Sequence, residues 1–196
     1  MSKSMHPGGL RLTDRAARLA GVSSGMSLLD IGCGAGASLE FLARKFGIIP
    51  FGMELSKERL NTASEHLPGV TLNIGDAAQI PYGDMCFDAV ICECVLSLVE
   101  DATQAAHEMH RVLRPDGTLI VSDVCCENDF CEIQAMFTEA GFNVTHFEEH
   151  RAALVTYAAE AYISGTSPPS FGATCETSCT AHGRSTYYLL IGRRGE

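Results

Sequence analysis

From Leu12 to Phe147 the apolar residues alternate between strand-like and helix-like spacing, and this restricts the chain more than any other feature. Ser27–Ile31 is a short apolar run closed by glycines, which predicts a buried strand. Leu39, Leu42, Ala43 and Phe46 follow at i, i+3, i+4 and i+7, one face of a helix, with Gly47 placed to end it. Residues 48–53 predict a second strand. Ser56 is a capping residue for a helix with Leu60, Ala63 and Leu67 on one side, broken by Pro68-Gly69. Residues 70–74 and 87–92 predict the third and fourth strands.

The pattern then repeats. Asp101 with Gln104 has the spacing of a capping box, ahead of a helix expected to bury Ala102, Ala105, Ala106, Met109, Val112 and Leu113. Arg114-Pro115-Asp116-Gly117 predicts a turn into a strand over 118–122, and Ile133, Met136, Phe137 and Ala140 give another helical stripe closed by Gly141. Alternating strands and helices specify a parallel sheet with helices on both faces, and the unbroken run Leu119-Ile120-Val121 suits a strand covered on both sides. The fold class is α/β. Residues 142–147 predict a further strand, and Leu154, Tyr157, Ala158, Ala161 and Tyr162 a helix. A Ser/Thr/Pro/Gly-rich loop over 165–183 holds Cys175 and Cys179, and 185–192 predict a closing strand.

The length of 196 residues suits one domain with a full core. With 24 acidic and 14 basic side chains the net charge is −10, which disfavours a partner bound through a phosphate backbone. No apolar run approaches the ~18 residues of a membrane span. The opening seven residues lack the apolar core of a secretory signal, so a cytoplasmic location is expected. Nine cysteines cannot all pair with one another; in a reducing compartment they are expected to stay free, mostly as small buried hydrophobes.

Chemistry concentrates at Asp30-Ile31-Gly32-Cys33-Gly34-Ala35-Gly36, between the first strand and the first long helix. Glycines there let the backbone turn sharply and let a ligand lie against peptide groups at a helix N-terminus. Gly32, Gly34 and Ala37 also satisfy the dinucleotide pattern, which asks for an acid about 20 residues on, and Glu54 fills that place. A nicotinamide-binding oxidoreductase therefore stays open on this motif alone.

Three further features bear on the choice: Asp30 two residues before the first glycine, Gly75-Asp76-Ala77 after the third strand, and residues 108–119 leading into the fifth. Together with the glycine turn they resemble the landmarks of class I S-adenosylmethionine-dependent methyltransferases, over roughly residues 28–123. The resemblance implies a Rossmann-like, mostly parallel seven-stranded sheet whose C-terminal strand runs antiparallel. It implies S-adenosyl-L-methionine as cofactor and S-adenosyl-L-homocysteine as product. Asp30 would bind near the methionine amino group, and Gly32, Cys33, Gly34 and Gly36 would let the methionine half pass close to the backbone. Glu54 would accept from both ribose hydroxyls, since a carboxylate offers two acceptor oxygens to a vicinal diol. Asp76 would take the adenine amino group beside Ala77, with Leu55 and Ile80 sandwiching the ring; Asp76 also reads as a simple turn residue. Glu93, at the end of the fourth strand, is a further candidate. The whole chain reads as one domain: a cap segment (1–23), a cofactor-binding core (24–163), the cysteine-containing loop (164–184) and the last strand (185–196).

Methyl transfer needs little acid–base machinery, because the enzyme has mainly to desolvate and align. The chain lacks the Asn/Asp-Pro-Pro-Tyr signature that some nitrogen methyltransferases carry after the fourth strand, and has Cys92-Glu93-Cys94-Val95 instead. A small-molecule acceptor is the expected partner. On the acceptor side the candidates are Cys94, Glu93, Asp123 and Arg11. The stretch from Cys94 to Leu98 is similar to one that arsenite methyltransferases use, and soft thiolates of Cys94, Cys175 and Cys179 would suit a metalloid or metal. A thiol-rich metal-binding module is the non-catalytic alternative. Neither the acceptor nor the oligomeric state can be read from these residues.

Overall fold

The computed structural model describes residues 6–165 and 184–195. Thirteen elements follow in order: α1 (Gly9–Leu19), β1 (Ser27–Ile31), α2 (Ala37–Phe46), β2 (Ile49–Glu54), α3 (Lys57–His66), β3 (Thr71–Ile74), β4 (Phe87–Glu93), α4 (Ala102–Val112), β5 (Leu113–Cys126), α5 (Phe130–Glu139), β6 (Phe142–Glu149), α6 (Arg151–Ile163) and β7 (Ser185–Arg194). They build one seven-stranded sheet of order β3-β2-β1-β4-β5-β7-β6. The first five strands run parallel, while β7 pairs antiparallel with both β5 and β6.

Side chains alternate across this sheet with a period of two, and each set finds its own helical layer. Leu29, Val90 and Cys92 pack with Met109, Val112 and Phe137 of α4 and α5. Leu28, Ala89 and Ile91 pack on the other face with Ala16, Ala17, Leu39 and Leu42 of α1 and α2. Within the segment expected to be a cap, Leu12, Thr13, Ala16 and Ala17 of α1 are buried.

Local signals account for most boundaries. Gly36 (φ +83°) and Gly47 (φ +70°) bracket α2, and Ser56 Oγ accepts from Arg59 N–H at 3.3 Å to start α3. Asp101 Oδ1 accepts from Gln104 N–H at 2.8 Å, the main half of the expected capping box. Three expectations are corrected. Residues 114–117, expected as a turn ahead of the strand, lie inside β5, with Asp116 at φ +60° where the β4–β5 register shifts. The predicted stripe on α6 stays largely outside the core: Leu154 is buried, but Tyr162 is 86% exposed. Cys33, Cys92 and Cys125 are buried as expected, whereas Cys126 is disulfide-bonded, against the expectation of free thiols. Cys175, Cys179 and nearly all of the loop around them lie outside the described residues.

An ionic tie joins α1 to β6. Arg15 of α1 donates to Glu148 of β6 through two nitrogens, at 2.7 and 2.8 Å, and His150 Nε2 and His146 Nε2 lie 2.7 and 3.0 Å from the same carboxylate. The Arg15 bonds and the two imidazoles hold the Glu148 carboxyl far below its ordinary range. A depressed pKa contributes stability at pH values above the unfolded carboxylate range, lost as the pH falls through the folded value. Glu148→Gln is expected to cost about 1 kcal/mol near neutrality, the scale of a part-exposed charge network. Urea melts should show the wild-type advantage shrinking as the pH drops below about 4; an equal gap at neutral and acid pH would break this account.

Candidate active site

Parallel strands β1 and β4 lie side by side although β2 and β3 come between them in the chain, so the connections diverge at this point. Crevices at such a switch point, beyond the carboxyl ends of the strands, are where open α/β sheets take ligands. A cavity of about 410 Å³ opens there. Its wall is built from Gly32 after β1, Met53 to Ser56 at the end of β2, Gly75 to Ala77 after β3, and Cys94 and Val95 after β4.

Glu54 ties the glycine turn to this cavity. One carboxylate oxygen accepts from Gly34 N–H at 3.0 Å and the other from Ser56 N–H at 2.9 Å. The side chain is 7% exposed, and each oxygen keeps a further lone pair for a ligand. The turn is also stitched to β2 by Gly32 and Cys33 N–H, which both donate to Met53 C=O at 2.8 and 3.0 Å. Gly32 sits at φ +73°, and a Cβ on it would lie 2.3 Å from Val95 Cγ2, so glycine is required on both counts.

Asp30 is buried at the end of β1, and its carboxylate has no hydrogen-bond partner among the described residues. Burial, with the Glu93 and Glu54 charges beside it, pushes its pKa well up. A cationic ligand would relieve all three carboxylates. Neither Asp30 nor Glu93 is in the cavity wall itself. Glu93 oxygens accept from Ser38 Oγ at 2.6 Å and from Thr13 Oγ1 at 3.0 and 3.3 Å, and His6 Nε2 stands 3.3 Å away. His6, Thr13 and Ser38 were not legible as site residues, because Thr13 and Glu93 meet across 80 positions of sequence and no short spacing marks them.

The remaining candidates divide. Leu55 and Ala77 line the cavity, with Leu55 exposed at its rim. Asp76 lines it too, while its Oδ1 accepts from Ala78 N–H at 2.9 Å in a side-chain turn, so the turn reading and the ligand reading are compatible. Ile80 does not line the cavity. It is 3% exposed within the core, and its N–H is held by Glu108 Oε2 at 2.8 Å. The Cys33 side chain is likewise buried under the turn, and Gly34 and Gly36 contribute backbone. Ile31, Arg59, Leu98 and Val99 complete the lining, with no signal in the sequence to single them out.

On the acceptor side, Cys94 lines the cavity in a left-handed conformation (φ +56°), its sulfur 3.3 Å from Tyr187 Oη. Burial pushes its thiol pKa well up, which opposes a thiolate. Among the described residues no group of three or more His, Cys, Asp or Glu side chains could hold a metal ion. Asp123 lies outside this cavity, held by Ser97 N–H and Oγ at 2.9 and 2.8 Å and by Val124 N–H at 2.7 Å. Arg11 is exposed on α1, away from the cavity wall. Among the described residues no helix is long and apolar enough to cross a membrane.

Comparison with known proteins agrees with this geometry. Residues 29–121 match the family described as "Methyltransferase domain". The chain is 31% identical over 137 residues to methyltransferase GfsG of Streptomyces halstedii, covering 67% of this chain and 49% of that one. It is 28% identical over 171 residues to O-methyltransferase resE of Aspergillus sclerotiorum, covering 71% of this chain and 64% of that one. In every curated relative compared, the match spans less than two thirds of the relative's length. Among solved structures, the [4+2]-cyclase SpnF superposes with a TM-score of 0.79 at 25% identity, over 95% of this chain and 80% of that one. Phosphoethanolamine N-methyltransferase 2 of Haemonchus contortus, solved with S-adenosyl-L-methionine, shares the fold at a TM-score of 0.78 and 17% identity, over 97% of this chain and 54% of that one. Its sheet order, its antiparallel β7 and the glycine turn tied to an acid at the end of β2 are those expected from the resemblance to class I S-adenosylmethionine-dependent methyltransferases, and residues 29–121 match a methyltransferase domain.

Proposed function

We propose that this chain binds S-adenosyl-L-methionine in the switch-point cavity and transfers its methyl group to a small-molecule acceptor. The observation that carries the reading is Glu54, whose two oxygens are aimed by the Gly34 and Ser56 amides into the cavity wall. The names of the relatives, which include an O-methyltransferase and N-methyltransferases, support a small acceptor.

The residues fit this cofactor. The unpartnered Asp30 offers a carboxylate to an ammonium, and Gly32 leaves bare backbone where a side chain would intrude. Bound here, S-adenosyl-L-methionine supplies a methyl group already activated on a sulfonium. Glu54 accepts from the ribose diol, and Asp76 keeps Oδ2 for the adenine amino group. The apolar wall of Val95, Leu98 and Val99 excludes water, and alignment of the acceptor does the rest.

Thermal shift distinguishes the classes. S-adenosyl-L-homocysteine should raise the melting temperature while NAD and zinc leave it unchanged, since a ligand of the native state stabilises by mass action. A shift with NAD alone would point to the oxidoreductase; the antiparallel β7 already departs from the all-parallel dinucleotide fold. Because a [4+2]-cyclase shares this architecture, binding is not transfer. Release of S-adenosyl-L-homocysteine in the presence of acceptor establishes transfer, whereas acceptor conversion without it favours cyclase-like chemistry.

Asp76→Ala is expected to weaken S-adenosyl-L-homocysteine by about tenfold, the lower end for a charged hydrogen bond. An analogue without the exocyclic amino group should be weakened far less. Equal losses by calorimetry would make Asp76 a turn residue only.

A further inference from the structure

A second cavity, of about 370 Å³, lies across the single 3-10 turn Leu96–Leu98 from the first. Val95, Leu98 and Val99 face the cofactor cavity, while Leu96 and Ser97 face this one. Nothing in the proposed cofactor binding uses it.

Its ionisable lining is acidic. Asp123 sits in the wall, 2% exposed, with Asp129 and Glu132 of the β5–α5 side nearer the rim; among the described residues no Lys or Arg lines it. An acidic cluster alone would say little. The second observation is Tyr188, which pairs with Asp123 across β5 and β7 and so projects from the same face of the sheet. It is 3% exposed, its ring is stacked on Phe147 at 5.6 Å and 9°, and it lines the cavity. Its hydroxyl makes no hydrogen bond among the described residues. Buried polar groups are ordinarily bonded, so a hydroxyl in the wall of a cavity with no protein partner is open to whatever enters the cavity. Ile133 and Met136 supply apolar wall.

We propose that this cavity binds a small organic cation, an ammonium carried on a short apolar chain. The carboxylates supply the charge, Tyr188 a hydrogen-bond acceptor and an aromatic surface, and Ile133 and Met136 the contact for carbon. Burial pushes the Asp123 carboxyl up despite its Ser97 and Val124 donors, so the site gains from an incoming positive charge. The inference does not depend on the cofactor reading.

The test titrates the whole protein with n-butylammonium, n-pentanol and butyrate, followed by NMR or calorimetry. Butylammonium should bind, and pentanol, of similar shape without charge, should bind at least about tenfold more weakly, the worth of one charged hydrogen bond. Butyrate should not bind. Asp129→Asn with Glu132→Gln changes only the partly exposed rim and should weaken butylammonium about fivefold while the melting temperature holds. Tyr188→Phe removes only the unbonded hydroxyl; it should leave or raise the melting temperature and still weaken the ligand about fivefold. Asp123→Asn is the stricter variant but disturbs the Ser97 contacts, so the judgement rests on the other two. Equal binding of butylammonium and pentanol, or affinity untouched in both variants, would overturn the proposal. Loss of this binding with S-adenosyl-L-homocysteine affinity intact separates its fate from that of the cofactor site.

Discussion

Glu54→Ala should lower the affinity for S-adenosyl-L-homocysteine by roughly 10- to 150-fold, the equivalent of about 1.5–3 kcal/mol for hydrogen bonds to a charged acceptor. Two losses add in this variant. In the proposed binding mode the ribose diol loses both acceptors, and the Gly34 and Ser56 amides, held at 3.0 and 2.9 Å, lose the carboxylate that orders them. The amide loss loosens the glycine turn, so part of the effect is disorder of the empty site. Glu54→Gln separates the two. Its single carbonyl oxygen can still serve one amide, while its NH₂ cannot accept from the second hydroxyl. Affinity should therefore fall in the order wild type, Gln, Ala, as calorimetry can read directly. If Ala and wild type bind alike while both stay folded, the carboxylate has no part in binding.

The fold was legible because its signals are short-range. Leu39, Leu42 and Gly47 announce α2 within one helix length, and Ser56 and Asp101 cap the helices they were expected to cap. Where a residue's place depends on a partner far along the chain, the sequence was silent. Ile80 follows Asp76 closely enough to suggest a role beside the adenine, yet the Glu108 carboxylate 28 positions on holds its amide and its side chain turns into the core. Tyr162 has the spacing of a buried helical residue on α6 but is exposed, since period alone does not say which face meets the sheet. Glu93 was visible as an acid at a strand end. Its enclosure by Ser38, Thr13 and His6 belongs to the tertiary fold, which brings α1 over β4.

Gly32→Ala should be the most damaging single change in the first turn, costing about 2–4 kcal/mol of stability from two additive sources. The backbone at φ +73° is left-handed, which costs a residue with a Cβ about 1–2 kcal/mol. The new methyl would also stand 2.3 Å from Val95 Cγ2, closer than any real contact, so β1 or the segment after β4 must move. Both Gly32 and Val95 line the switch-point cavity, so that movement distorts the proposed site as it relieves the clash. A double-mutant cycle divides the two sources. Val95→Ala removes the clashing methyl but leaves the dihedral strain, so Gly32→Ala should be milder in that background by at least about 1 kcal/mol. Urea denaturation of the four proteins gives the coupling, and cofactor affinity should recover with stability. Additive losses would mean that Val95 yields freely and that the dihedral alone demands glycine; a Gly32→Ala protein as stable as wild type would mean that neither constraint holds.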